Sequence, residues 1–372
     1  MEAGRPTARL GPNPNDGDSC SSSASVSALV ARPSSADPRS MEAGRPTARL
    51  GPNPNDGDSC SSSASVSALV ARPSSADPRS MEAGRPTARL GPNPNDGDSC
   101  SSSASVSALV ARPSSADPRS MEAGRPTARL GPNPNDGDSC SSSASVAALV
   151  ARPSSADPWS MEAGRPTARL GPNPNDGDSC SSSASVSALV ARPSSADPRS
   201  MEAGRPTARL GPNPNDGDSC SSSASVSALV ARPSSADPRS MEAGRPTARL
   251  GPNPNDGDSC SSSASVSALV ARPSSADPRS MEAGRPTARL GPNPNDGDSC
   301  SSSASVSALV ARPSSADPRS MEAGRPTARL GPNPNDGDSC SSSASVSALV
   351  ARPSSADPRS MEAGRPTARL GP

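Results

Sequence analysis

The sequence predicts a mostly intrinsically disordered, low-complexity tandem repeat with no globular fold, and three observations predict it. The 372-residue chain is one 40-residue unit, MEAGRPTARLGPNPNDGDSCSSSASVSALVARPSSADPRS, written head to tail. Gly, Pro and Ser make up about 42% of it, above the roughly 25–30% that marks low-complexity sequence. Leu and Val supply about 10%, with Ile and Phe absent. Ordered domains usually exceed roughly 20% for these four residues.

Nine copies occupy 1–40, 41–80, 81–120, 121–160, 161–200, 201–240, 241–280, 281–320 and 321–360, and residues 361–372 open a truncated tenth. Two positions break the identity, both in the fourth copy: Ala147 replaces Ser and Trp159 replaces Arg. Each change needs a single base. Folded repeat families keep a framework, vary the rest and use atypical end repeats as caps. Here the first copy reads as the seventh does. Lys, Ile, Phe, Tyr, His and Gln are absent, while Gly, Pro, Arg and Ala, all with GC-rich codons, make up about 46%. The pattern is that of a GC-rich DNA unit of 40 codons, duplicated and translated in one frame.

Within the unit, residues 1–23 read as loop, because Gly4, Pro6, Gly11, Pro12, Pro14 and Gly17 interrupt any growing element. Asn13 to Asp18 is dense in turn formers. Residues 23–32 are the one segment with element potential. Val26, Leu29 and Val30 fit a helical template, and Ala24, Val26, Ala28 and Val30 fit strand alternation. Ser23 as cap, the alanines, and Pro33 as stop favour a short marginal helix over about residues 24–32 of each unit. Residues 33–40 read as loop again. The sizeable apolar groups are Met1, Leu10, Val26, Leu29 and Val30. They are too few to offset the conformational entropy lost on ordering 40 residues.

The residues with chemical potential do not assemble into a site. Thirty-seven Arg balance 37 Asp plus Glu, interspersed in every unit, so there is no basic run for phosphate. Cys recurs once per unit, from Cys20 to Cys340, without CxxC spacing, and reads as an incidental thiol. With no His, the usual base for a Ser or Cys nucleophile is missing. Asn13, Asn15, Asp16 and Asp18 fail the calcium-loop pattern, since Gly17 falls one place early and no Glu closes the loop. Arg32-Pro33-Ser34-Ser35 is a loose kinase context. PxxP, N-x-S/T and the glycine-rich phosphate loops are all absent.

No catalytic, cofactor-binding or metal-binding residue, no cofactor and no enzymatic activity is therefore expected. Partners are unspecified: there is no nucleic-acid or membrane signal, and only weak multivalent protein contacts are anticipated. The opening residues lack the apolar core of a secretory signal and the longest apolar run, Ala28–Ala31, is far below a span, so cytoplasm or nucleus is the default location. The functional expectation is a translated tandem repeat with no specific biochemical function. The alternative is a disordered multivalent scaffold, spacer or repetitive surface antigen. A third is a folded helical array that binds a partner.

Overall fold

Strand alternation wins over helical spacing in the Ser/Ala/Val segment. In the computed structural model, Ser19–Ala31 is a 13-residue β-strand, β2, where a helix was expected. It follows β1, Thr7–Leu10, and precedes β3, Ser40–Ala43, and β4, Thr47–Leu50. The same three strand types recur every 40 residues. The structure describes residues 4–10, 19–31 and 40–50, and each stretch 40 residues on from the last two, with Gly51, Gly171, Gly211 and Gly331 besides. Among the described residues there is no helix.

Every strand pairs in parallel with the strand 40 residues further on, like residue against like residue. Thr7 faces Thr47, Leu10 faces Leu50, and Ser19 to Ala31 face Ser59 to Ala71. The pairs build three parallel sheets, of ten β1-type strands, nine β2-type strands and nine β3-type strands. The chain is thus a folded parallel β-solenoid with one unit per coil. Neighbouring strands in such a sheet lie about 4.8 Å apart, so the stack of ten strands is about 43 Å long.

Each coil has two layers. The long β2-type strands form one, and the β3-type and β1-type strands lie end to end in the other. Ser22, Ala24, Val26, Ala28 and Val30 point inward along β2, while Ser21, Ser23 and Ser25 are exposed. The first half of β2 packs Ala24 and Val26 on Ala48 and Leu50. In the second half, Val30 joins Ala43, Ala68 and Val70. The inside is thin but dry. In mid-stack Val70 and Ala88 are 0% exposed and Leu90 is 4% exposed.

These observations correct three expectations. The chain is folded and not disordered; residues 24–32 contribute a strand and not a helix; and residues 1–23 and 33–40 are not all loop, since Thr7–Leu10, Ser19–Ser23 and Ser40 lie in strands. A folded array exists, but it is built of strands rather than helices. The physical reason is common to all three. A single unit cannot bury its apolar groups, but here each coil is the lid of the next. Alanines, too small to count in isolation, become fully buried core (Ala43 and Ala48, both 0% exposed). Backbone groups that a lone unit would leave to water are paired across coils. The turn expected at Asn13–Asp18, and Pro33 to Arg39, lie outside the described residues in every copy.

The corner between β3 and β4 is Gly44-Arg45-Pro46. The ladder continues through it: Arg125 N–H donates to Gly84 O at 3.2 Å, and Thr47 N–H donates to Pro6 O at 3.0 Å. Proline has no N–H to give. The next residue supplies a donor: the Thr47 hydroxyl donates to Arg45 O at 3.4 Å, as Thr7 does to Arg5 O. That length makes it a weak bond. Glycine is required at this corner by close approach, with no positive φ among the described residues. A Cβ on Gly84 would collide with the carbonyl oxygens of Ala43 and Gly44 in the preceding coil, and Gly124, Gly164 and Gly204 are placed in the same way.

Candidate interaction surface

In-register stacking turns each described residue of the unit into a column. On the outside of the long-strand layer, Ser21, Ser23 and Ser25 and their equivalents form hydroxyl columns, with Leu29 beyond them. Leu29 is 56% exposed in the first coil, and its mid-stack equivalents are partly shielded by one another. A groove of about 1320 Å³ runs the length of this layer, lined by Ser23, Ala24 and Ser25 of all nine units.

The outside of the short-strand layer carries the charges. Alternation along β3 and β4 places Glu42, Arg45, Thr47 and Arg49 outward, between buried Ala43, Pro46, Ala48 and Leu50. The Glu column sets like charge against like: Glu122 pairs in register with Glu82 and Glu162. Burial, then the carboxylates of Glu162 and Glu82, push the Glu122 carboxyl above its ordinary value, while Arg125 and Arg165 pull it down. Glu202 is raised by burial and then by Glu162, and Glu242 by burial and then by Glu202.

A raised folded-state value means that the folded chain binds protons in a range where the unfolded chain has released them. This contribution to stability is fully present below the unfolded value of 4.5 and is lost as pH rises through the higher folded values. Glu122→Gln, Glu202→Gln and Glu242→Gln together should therefore raise the melting temperature at pH 7. The difference from the parent chain should vanish below the carboxylate range. A thermal melt series from pH 4 to pH 7 checks this, and a variant that melts lower at pH 7 contradicts it.

Inside, one column is polar. The Ser22 side chain and its eight equivalents are buried hydroxyls with no hydrogen-bond partner among the described residues. Ser62 is 2% exposed. The signal that reveals this column is the alternation itself: one step back from Ala24, Val26, Ala28 and Val30, it places Ser22 on the inward side.

The residues singled out for chemistry are distributed as follows. Cys20 lies in β2 with its Cα opposite that of Cys60, and the register continues to Cys340, so a sequence spacing of 40 becomes adjacency across the sheet. Ala147 sits on the outer side of its strand, opposite Ser107 and Ser187, where loss of a hydroxyl removes no core contact. Asn13 to Asp18, Ser34, Ser35 and Trp159 lie outside the described residues. Among the described residues, no group of three or more potential metal ligands comes together, and no helix is long and apolar enough to cross a membrane.

No protein-family model, curated protein or solved structure matches the chain. The molecule is a repetitive β-solenoid.

Proposed function

We propose that the chain is a non-enzymatic structural repeat protein, a stiff β-rod that serves as a spacer or scaffold and presents the same side chains at every step. The observation that carries this reading is the like-on-like register over nine coils and the truncated tenth. A catalytic site needs unlike groups in convergence, such as a nucleophile, its base and an oxyanion donor. Stacking identical units brings each residue beside copies of itself, which multiplies a contact without diversifying it. The absence of His supports the same reading. Multivalency is the natural use of such a surface, since linked weak contacts add through effective concentration.

Solution scattering on chains of six, nine and twelve units tests the rod. Each added unit should lengthen the particle by about 4.8 Å at constant cross-section. A radius of gyration that instead grows as roughly the 0.6 power of chain length is that of a coil, and overturns the reading. The near-identity of the copies favours a second reading, in which duplication of DNA alone made the repeat. Synonymous differences among the nine DNA copies, with the protein held constant, decide against that second reading.

A further inference from the structure

The whole chain is neutral, yet among the described residues the outer face of the short-strand layer carries two Arg for one Glu in each coil: Arg45 and Arg49 exposed, Glu42 half-buried. The acidic Asp16, Asp18 and Asp37, like Arg32 and Arg39, belong to segments outside the described residues. The Arg49-type column has ten members, Arg9 to Arg369, each in register with the next. The spacing along it is that of the strands, about 4.8 Å. The Arg45-type column lies four residues away along the chain, with the Thr47 hydroxyls between the two. The Glu column lies on the far side of Arg45, where Arg125 and Arg165 flank Glu122. Beside the Arg49-type column, a groove of about 720 Å³ is lined by Arg and Leu pairs from Arg209–Leu210 to Arg369–Leu370.

We propose that this face binds a linear anionic polysaccharide, laid along the solenoid axis with its sulfate or carboxylate groups on the Arg49-type column. Stacked guanidinium groups repel one another, and an anion seated between two neighbours relieves that repulsion. Arginine's planar fork matches sulfate and carboxylate bidentately. The step of about 4.8 Å is comparable to one sugar ring in an extended chain, so successive coils meet successive sugars. The Thr47 column, half-buried between the two Arg columns, offers hydroxyls to sugar hydroxyls. A single-stranded nucleic acid fits less well. Such strands are held largely by stacking on aromatic side chains, and the chain has no Phe or Tyr and a single Trp.

The test is fluorescence anisotropy with labelled heparin, poly(dT) of matched charge and neutral dextran, using the full chain. Heparin should bind with an affinity that falls steeply with salt and should raise the melting temperature. Dextran should not bind, and poly(dT) should bind more weakly than heparin. Replacing all ten members of the column, Arg9→Gln through Arg369→Gln, should weaken heparin binding about 100-fold or more, as expected from losing several ionic contacts. Replacing alternate members only should give an intermediate loss, and guards against misreading a folding defect. The proposal is overturned by absent heparin binding at low salt, by undiminished binding in the Gln variants, or by tighter binding of poly(dT).

Discussion

Gly204→Ala is expected to break the stack in its middle. The added Cβ has nowhere to go: it would collide with the carbonyl oxygens of Ala163 and Gly164 in the coil beneath. Those atoms are backbone, so no rotamer change relieves the clash, and the ladder bond from Arg205 N–H to Gly164 O must open with it. A loss of about 4 kcal/mol or more is the expected scale for a backbone collision inside a packed interface. Repeat arrays couple mainly through nearest neighbours, so the damage should divide one cooperative unit into two, visible as a biphasic urea transition. The matched control is Gly4→Ala. Gly4 has nothing within 4 Å of its ideal Cβ, so that variant should unfold as the parent does. If both variants unfold alike, coils do not approach one another as described.

The second large effect is a gain. Replacing Ser22 and its eight equivalents with Ala removes nine buried hydroxyls that have no partner. A buried, unsatisfied hydroxyl costs about 1–3 kcal/mol. Alanine keeps the Cβ that fills the space, and Ala24 already stands two residues along on the same inward face. Allowing for non-additivity between touching neighbours, the nine changes together should stabilise the array by on the order of 5–10 kcal/mol. The urea midpoint should rise with little change in slope. A midpoint that falls instead shows that these hydroxyls are satisfied, and the column would then contribute cohesion.

How far the sequence reveals this molecule differs from residue to residue. The 40-residue unit is plain, and so is the alternation from Ala24 to Val30 that becomes the inner side of β2. The choice between helix and strand was not decidable locally, because the deciding partner of Val26 is Val66, one full unit away. Thr7–Leu10 and Ser40–Ala43 are harder still. Four residues closed in by Pro6 and Pro12, or ending at Gly44, alternate polar and apolar but are too short for that alternation to mark a strand, and their order comes from cross-coil pairing. Gly44 and its equivalents read as interruptions, yet serve as the points of closest approach. The near-identity of the copies pointed to DNA duplication alone. A parallel in-register stack gives the same near-identity a structural use, because a residue whose neighbours are its own copies packs most simply when none of them changes. The Arg columns carry no signature either, since Arg9 and Arg49 stand 40 residues apart in sequence and become neighbours only when the chain coils.

The fixed register has a consequence for how such a molecule changes over generations. A rod built from one repeated step has no privileged length. Gain or loss of one 40-codon unit by slippage leaves every remaining contact as it was, since the coils on either side of the join meet the same surface they met before. Each unit gained or lost then changes the length of the stack by one strand spacing, about 4.8 Å, as one lengthens a ruler by whole graduations without redesigning the material.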